Sequence, residues 1–526
     1  MTVLERLPGI DQTAAGFYAP PDVQVAVGPG HVVELVNVAM KVWSTASSPP
    51  AEVDGAALPA LFHASGDDLT DPRILFDVPS QRWYASIADV DTGSVLLAVS
   101  RGSDPTGDWD VHSYSAAGAC PDQPRLGISD AVVVLAADVF TRCEGRGSRA
   151  LGSQLWVVNK AQLVAGAASP ASRSLGPSLR YASVQPVHSL SAAPTQYAVS
   201  LDGPGAPSVH LLRVDGVPPA AVALAEIAAP ALTPLSQPPR AVEPGGHGGA
   251  RDIDTNDVRV LDAVWQDGSI WFSSNTGCIP EGDTEIRACG RVVQLSTVAD
   301  EVDWAQDIAS SGSDVFFPTA RPDGKGNVVV VYGQSSAALA PIVAVVARTA
   351  DGTFTAPQTV ATSAAPAGSS NDGRWGDYFG AARDPSNRGV VWVAGQTGPA
   401  VAGTTDWATT VAAVLTTGAD ETPPRVAIVP PGVHARPASG RAGKALRLTF
   451  VALDGGKAVR SRVTVKRGGR VVFSRTTKAR AVLAEHVYGV AWKPAKRLRG
   501  SLRFCVRFVS KDGTQSPPSC ASLRLR

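Results

Sequence analysis

Acidic residues recur at the starts of short apolar segments. Six aspartates precede or open such a segment: Asp22, Asp71, Asp122, Asp257, Asp314 and Asp377. If the segments are the innermost strands of a ring of sheets, these carboxylates line one mouth of a central channel. Like charges that lie close together repel unless a cation or arginines sit among them. The pattern predicts either a polar funnel that binds a cation or a charged sugar, or aspartates that cap strand starts through backbone hydrogen bonds. The second interpretation is favoured, because a motif repeated in every unit is usually structural.

Arginines stand beside these aspartates in the sequence. A guanidinium holds a carboxylate through two parallel hydrogen bonds, so arginines on inner strands are suited to an acidic ligand. The residues predicted to bind a ligand at the channel mouth are Asp71, Arg73, Arg125, Asp257, Arg259 and Arg374.

One acidic loop is similar to the start of a calcium-binding loop. Asp252, Asp254 and Asn256 place side-chain oxygens at positions 1, 3 and 5. The sixth position is Asp257 rather than glycine and the twelfth is Ala263 rather than glutamate, so the segment is not an EF-hand. It is a looser Ca²⁺ site or a polar loop without a cation, and the polar loop is favoured. Calcium is the one cofactor that the sequence suggests.

The six cysteines form three near pairs in the sequence: Cys120 and Cys143, Cys278 and Cys289, Cys505 and Cys520. None stands in a C-x-x-C arrangement, so a zinc site is not predicted. The last two flank Lys511-Asp512-Gly513, a good hairpin turn. We predict three disulfides and therefore an oxidising compartment, the alternative being six buried thiols. Met1–Asp11 has no apolar core of a signal peptide, so we expect a missing leader.

Other chemistry finds no support in the sequence. The histidines show neither H-x-H nor H-E-x-x-H spacing, and there is no G-x-S-x-G motif and no P-loop. No apolar run approaches the roughly 20 residues needed to cross a bilayer, so no transmembrane segment is predicted. Tryptophans such as Trp83, Trp109 and Trp271 are suited to stacking on sugars, but packing between sheets is the favoured interpretation.

The elements that must position these residues are predicted to be strands. Short Val, Ile, Leu and Trp runs recur between Gly, Pro, Asp and Ser turns, and helical periodicity is nearly absent. Each strand-start aspartate is followed by two or three further runs, at a spacing near 50 residues. This period is typical of propeller blades. We predict six or seven blades, with room for one or two in the long gap around 181–214, and we predict surface loops at 166–180 and 215–250.

The charge divides the chain in two. Residues 424–526 contain 23 Lys and Arg but 3 Asp and Glu, which leaves 24 basic and 44 acidic residues in 1–423. The break coincides with Thr422-Pro423-Pro424, a short stiff linker. We predict a propeller over 1–421 and an immunoglobulin-like β-sandwich over 422–526, from about seven alternating strands. The fold class is thus all-β, a six- or seven-bladed β-propeller followed by an immunoglobulin-like β-sandwich.

The chain resembles a family of secreted bacterial β-propeller proteins from high-GC genomes. The resemblance covers roughly 20–417 and is carried by these segments: Pro21-Asp22 with Ala26–Val33, Asp71–Asp77 with Arg82-Trp83, Ser103–Trp109, Asn256–Arg259 and Arg374–Tyr378. In general plan the propeller is also similar to the sialidase-like superfamily, and the tail is similar to the immunoglobulin-like domains often appended to such proteins. Membership implies the fold and guarantees no reaction.

The sialidase-like plan would imply a glycan-active site. Such enzymes hold the substrate carboxylate with three inner-strand arginines, for which Arg73, Arg125 and Arg259 stand in similar positions. They also need a tyrosine nucleophile with a glutamate partner and an aspartate acid/base. Tyr378 and Asp377 are the catalytic candidates, but no convincing glutamate accompanies them.

Two functions are consistent with these observations. The first is a secreted or cell-surface binding or adhesion protein, whose acidic propeller recognises an extracellular ligand, glycan or protein, and whose basic tail attaches to an anionic envelope. The alternative is an extracellular glycan-active hydrolase or lyase with its site at the channel mouth. A scaffold that only supports other proteins is a third interpretation. Nucleic acid is not an expected partner, since no nucleic-acid-binding motif is present.

Overall fold

The computed structural model describes residues 1–66, 68–143, 147–246, 252–366, 373–398, 407–416, 433–452, 458–468, 470–483, 486–510, 515–516 and 518–526. The chain divides into two compact units, Met1–Val78 with Arg82–Thr422 and Pro79–Gln81 with Pro423–Arg526. The linker at Thr422-Pro423-Pro424, and with it the predicted boundary between 421 and 422, lies outside the described residues. So does the turn at Lys511-Asp512-Gly513.

The first unit is a β-propeller, and its described residues form seven blades. The chain begins with β1 (Thr2–Asp11), which belongs to the last blade. Blade 1 contains β2 (Gln24–Gly28), β3 (His31–Val36), β4 (Ala39–Ser44) and β5 (Ala51–Ala57), followed by a short helix, α1 (Leu58–Leu61). Blade 2 contains β6 (Leu69–Asp77), β7 (Arg82–Asp89), β8 (Ser94–Ser100) and β9 (Trp109–Ser115). Blade 3 contains β10 (Cys120–Ile128), β11 (Val132–Phe140), β12 (Ala150–Asn159) and, after α2 (Lys160–Val164), β13 (Ser172–Ser178).

Blade 4 fills the long gap in the sequence repeat. It contains β14 (Gln185–Pro186), β15 (His188–Ser189), β16 (Gln196–Ser200), β17 (His210–Asp215) and β18 (Ala223–Ala228). The two-residue strand β15 lies outside the four-stranded sheet of blade 4. It pairs in parallel with the innermost strands of blades 3 and 5, which are β10 and β19. The gap therefore holds one degenerate blade, and the propeller has seven.

The remaining blades close the ring. Blade 5 contains β19 (Val260–Gln266), β20 (Ser269–Cys278), β21 (Arg287–Ser296) and β22 (Glu301–Ile308). Blade 6 contains β23 (Asp314–Pro322), β24 (Val328–Ser336), β25 (Leu339–Arg348) and β26 (Gln358–Thr362). Blade 7 contains β27 (Gly380–Arg383), β28 (Val390–Thr397) and β29 (Ala408–Leu415), and β1 pairs with β29 as its outermost strand. The N-terminal strand thus joins the two ends of the ring.

The predicted loops at 166–180 and 215–250 contain strands, which corrects the sequence analysis. β13 and β18 are the outermost strands of blades 3 and 4. Most side chains of β13 are exposed, and those of β18 are exposed or half-buried. An outermost strand needs few apolar residues, because only part of one face packs on the next blade.

Apolar side chains fill the spaces between neighbouring blades. Trp83 is fully buried and packs on Gly28, where a Cβ atom would lie 2.5 Å from the indole ring. Trp271 and Trp392 are also buried. These tryptophans belong to the core, as the favoured interpretation expected.

The second unit is a β-sandwich of two sheets around one apolar core. The smaller sheet contains β30 (Val433–Ala435), β32 (Leu446–Ala452) and β36 (Val487–Trp492). The larger contains β31 (Ala438–Gly440), β33 (Ala458–Arg467), β34 (Arg470–Thr476), β35 (Arg480–Ala481), β37 (Gly500–Val509) and β38 (Ser519–Leu525). The immunoglobulin-like assignment of this sandwich stays a prediction.

All three predicted cysteine pairs are disulfides in the structure. Cys120–Cys143 and Cys278–Cys289 lie in the propeller, and Cys505–Cys520 joins directly opposite residues of β37 and β38. The two helices of the described residues have four and five residues, and neither is long enough to span a membrane.

Candidate functional site

Three innermost strands carry the same β-bulge. In each, a residue with positive φ is followed by proline, and the pairing with the second strand shifts at that point. The pairs are Asp71-Pro72, Gln123-Pro124 and Phe317-Pro318. Gln123, and not Asp122, therefore occupies the position in blade 3 that Asp71 occupies in blade 2. A positive φ is costly for residues other than glycine and persists only where surrounding contacts hold it.

Two asparagines hold two of these bulges in place, those of blades 2 and 6. The Asn37 side chain accepts a hydrogen bond from the Asp71 backbone amide (2.8 Å) and donates to Asp22 Oδ2 (2.7 Å). Asn275 does the same for blade 6, because its side chain accepts from the Phe317 amide (2.7 Å). Both asparagines are fully buried. Asn37 directly follows β3 and Asn275 lies in β20, which are the second strands of blades 1 and 5. Each asparagine therefore links a second strand to the bulge in the innermost strand of the following blade.

Three carboxylates meet at this end of the propeller axis. Asp22, Asp71 and Asp377 are buried, and one oxygen of each lies within 4.8 Å of the others. Asp22 Oδ1 accepts from the Asp377 backbone amide (2.7 Å), and Asp377 Oδ2 accepts from Gln123 Nε2 (2.7 Å). We call Asp22, Asp71 and Asp377 the carboxylate triad.

Burial raises the pKa values of two members of the triad, Asp22 and Asp71. Burial, and then the charge of Asp377, raise the pKa of Asp22 to about 7. Burial, and then the charges of Asp22, Asp122 and Asp377, raise the pKa of Asp71 well above its ordinary value. Asp22 and Asp71 therefore retain their protons to a higher pH than ordinary aspartates do.

Most of the predicted arginines are paired with carboxylates. Arg374 lies 2.7 Å from Asp377 Oδ1. Arg259 donates two hydrogen bonds to Asp257, of 2.8 and 2.6 Å. Arg259 and Arg125 also both donate to Gln123 Oε1. These guanidiniums are already occupied, so they do not form an open cradle for an acidic ligand.

Arg125 is held on the blade 3 side of this network. Its guanidinium lies 2.9 Å from Asp138 Oδ2 and is almost completely buried. Burial alone would raise the pKa of Asp138, but the charge and hydrogen bond of Arg125 outweigh it and lower that pKa. The pair is therefore an internal ion pair that fixes β10 on β11.

Arg73 and Tyr378 form a contact across the axis. The Arg73 guanidinium lies 3.5 Å from the centroid of the Tyr378 ring and donates to the Leu261 carbonyl (3.3 Å). The Tyr378 hydroxyl donates to the Pro72 carbonyl (3.0 Å). Burial raises the pKa of Tyr378 well above its ordinary value. A phenol in this state is a poor nucleophile, which weighs against the catalytic role considered for Tyr378.

The charges around the axis do not balance. Six carboxylates and four guanidiniums interact there: Asp22, Asp71, Asp122, Asp138, Asp257 and Asp377 with Arg73, Arg125, Arg259 and Arg374. The excess of two negative charges equals two protons or one divalent cation. Protons on Asp22 and Asp71 would offset this excess, in line with the raised pKa values of these two groups.

The remaining predicted site residues lie apart from the triad. Asp254 pairs with Arg240 (3.1 Å) and accepts from the Asn256 amide (2.9 Å), so this loop is held by its own contacts. The looser Ca²⁺ site considered for Asp252, Asp254 and Asn256 stays a prediction. Asp314 accepts from the Val242 and Ala288 amides, each at 2.9 Å. Asp314 therefore has the structural role that was favoured for the whole aspartate series.

Cavities of different sizes lie within and around the described propeller. Near the other end of the inner strands a cavity of about 30 Å³ lies among residues that include His188, Arg321 and Arg383. Larger clefts lie at the periphery, about 630 Å³ beside blade 1 and about 320 Å³ between blades 3 and 4.

A polar cluster beside the second cleft was missed by the sequence analysis. His210 lies between Glu226 (2.7 Å) and Asp202 (2.9 Å), and the Tyr181 hydroxyl donates to Glu226 (3.1 Å). Burial alone would lower the pKa of His210, but hydrogen bonds to the two carboxylates raise it. No sequence motif joins these residues, because they come from separate strands and loops of the degenerate blade.

The fold defines the chain as a β-propeller protein with a C-terminal β-sandwich. No protein-family model matches the chain, and no curated protein matches it. Solved structures with a similar fold include a fungal alcohol oxidase of the AA5 family in complex with copper (12% identity, TM-score 0.45, 100% of both chains covered). They also include a protein of unknown function from Dyadobacter fermentans (11%, 0.36, 79% of this chain and 99% of that one). A bifunctional GH43-CE protein from Bacteroides eggerthii (11%, 0.29, 84% and 54%) is a third. These likenesses concern the fold alone, and the sialidase-like plan stays a prediction.

Proposed function

We propose that the chain is a secreted or cell-surface binding protein. Its acidic propeller recognises an extracellular ligand, a glycan or a protein, and its basic C-terminal unit attaches to an anionic envelope. Three disulfides support an oxidising compartment outside the cytoplasm.

The charge division carries the proposal. Residues 424–526 hold 23 Lys and Arg against 3 Asp and Glu, whereas 1–423 hold 24 against 44. The three acidic residues of the tail are Asp454, Glu485 and Asp512, and none is among the described residues. The described part of the C-terminal unit thus presents basic side chains with no carboxylate side chain of its own to neutralise them. Such a surface attracts polyanions and leaves the acidic propeller free for a different ligand.

A glycan-active hydrolase is the second candidate. The observation in its favour is the meeting of Arg125 and Arg259 at Gln123, with Arg73 on the same axis. Against it stand the pairing of Arg125 and Arg259 with carboxylates and the buried hydroxyl of Tyr378. Binding is therefore preferred to hydrolysis.

A panel experiment separates the two candidates. The purified full chain is mixed with polysaccharides and envelope preparations, bound protein is measured in the pellet, and released sugars are measured by mass spectrometry. We expect binding without release. Release that disappears in Tyr378→Phe, with an unchanged melting curve, would establish the hydrolase instead.

A further inference from the structure

The larger sheet of the sandwich has one apolar face and one basic face. Along β33 and β37 buried and solvent-facing residues alternate. Val463, Val465, Phe504 and Val506 point into the core. The intervening positions point away from it, because successive side chains of a strand lie on opposite faces.

The outward positions are occupied by cations from three neighbouring strands. We call this set the basic face: Arg460, Arg462, Lys466, Arg503, Arg507 and Arg524. Arg507 is half-buried and the others are exposed. Two like-charged pairs stand directly opposite each other across β33 and β37, Arg462 with Arg507 and Lys466 with Arg503.

This arrangement is unfavourable for the sheet alone. Like charges directly opposite on neighbouring strands destabilise a sheet. Within the described residues of the unit, no ion pair offsets the charges of these four cations. The one side-chain hydrogen bond that the four cations make there runs from Arg507 to Gln515 (2.7 Å). The repulsion would be relieved by an anionic partner lying across both pairs.

We propose that the basic face is the attachment surface, and that its partner is a linear polyanion, a polymer that carries phosphate or carboxylate groups along its length. The proposal rests on the function proposed above and names the surface that performs it. Residues 460 to 466 of β33 span roughly 20 Å at about 3.3 Å per residue, so one extended polymer reaches both opposed pairs. Arginine predominates, and its fork binds phosphate and carboxylate bidentately.

The chemistry of the face favours a saccharide or phosphate polymer over nucleic acid. Between the two opposed pairs lie Thr464 and the Cys505–Cys520 disulfide, and Ser522 lies opposite Arg503. No aromatic side chain stands among these outward positions. Proteins that bind single-stranded nucleic acid generally offer aromatic rings on which bases stack.

The test compares two double variants of equal charge in the full chain. Arg462→Gln with Arg507→Gln removes one opposed pair. Arg436→Gln with Arg447→Gln removes two exposed cations, one on the smaller sheet and one beside it, and serves as the control. Binding to immobilised long-chain polyphosphate, to polyuronate and to a single-stranded oligonucleotide is measured over a range of salt concentrations.

We expect the face variant to lose about tenfold or more in affinity for polyphosphate or polyuronate and to show a shallower salt dependence, while the control keeps wild-type affinity. If polyphosphate binds more tightly, the preferred anionic group is phosphate, and if polyuronate binds more tightly, it is carboxylate. Lys466→Gln with Arg503→Gln should reproduce the loss if the first variant folds poorly. Equal losses in face variant and control would overturn the surface assignment while leaving attachment by overall charge intact. Tightest binding to the oligonucleotide would overturn the partner class, and no binding by the wild type would overturn the proposed attachment as well.

Discussion

At the scale of single residues, burial decides the chemistry of the propeller axis. Asp22 and Asp71 have raised pKa values because they are buried beside other carboxylates, and Tyr378 is held neutral by burial and by its bond to Pro72. The same residue types in an open cleft would suit catalysis or cation binding. Here they form a buried network in which the raised pKa values of Asp22 and Asp71 favour their protonated forms.

Replacing Asp71 with asparagine should stabilise the propeller at high pH. A raised folded pKa means that the folded state binds more protons than the unfolded state, so wild-type stability falls as pH rises from about 4 toward 7 and above. Burial and the neighbouring carboxylates raise the pKa of Asp71, and Asp71→Asn removes this group. We therefore expect a higher melting temperature than the wild type at pH 8 and little difference at pH 4, measured by thermal unfolding. If the variant melts lower at both pH values, or if EDTA lowers the wild-type melting temperature, the triad holds a cation rather than protons.

Replacing Tyr378 with phenylalanine tests its structural role. The ring would still cover the Arg73 guanidinium, but the hydrogen bond to the Pro72 carbonyl would be lost. We expect a loss of about 1 kcal/mol in the free energy of unfolding and no change in ligand binding. A variant with wild-type stability and altered binding would place the hydroxyl in a ligand site.

At the scale of elements, the sequence is informative about inner strands and uninformative about outer ones. The six aspartates lie within three residues of the starts of β2, β6, β10, β19, β23 and β27, which are the innermost strands of six blades. Blade 4 has no such aspartate, and its inner strand is split, so the period could not place it. The strand β13 was missed because it contains one large apolar residue, Leu175. The strand β18 is apolar but was missed because it lies in a long segment rich in Ala, Pro and Gly.

The triad was only partly predictable for a related reason. Asp71 and Asp377 stood out by their recurrence, but the contributions of Gln123 and Asn37 depend on the inner bulges and on contacts between blades. The shared proline and arginine of Asp71-Pro72-Arg73 and Gln123-Pro124-Arg125 are a sequence signal that would have revealed the equivalence of Asp71 and Gln123.

The two bulge-holding asparagines should matter for stability to a similar degree. Asn37→Ala leaves the Asp71 amide without its side-chain partner and removes one hydrogen bond to Asp22. Asn275→Ala does the same to the Phe317 amide. We expect each to cost about 2–4 kcal/mol in chemical unfolding, because buried polar groups lose their hydrogen bonds. Asn387→Ala, in a turn before β28, is the control and should cost less than about 1 kcal/mol. Equal effects at all three positions would contradict the special role of the bulges.

At the scale of the whole molecule, opposite charges are separated along the chain. The propeller closes by pairing β1 with β29, and Glu34 of blade 1 fastens this closure by accepting from the Ile10 amide (3.0 Å) and from Thr409 (2.5 Å). The C-terminal unit has its own core and disulfide. Each unit therefore has its own packed core on which a binding surface can be held, acidic in one case and basic in the other.

Co-sedimentation with envelope material tests the central claim most directly. The full chain is mixed with an anionic envelope preparation at about 50 mM and at about 500 mM salt, and the bound fraction and the released saccharides are measured in the same tube. The account predicts that the protein pellets at low salt, returns to solution at high salt, and releases no sugar at either. Protein that stays in solution at low salt, or saccharides that accumulate with time, would contradict it.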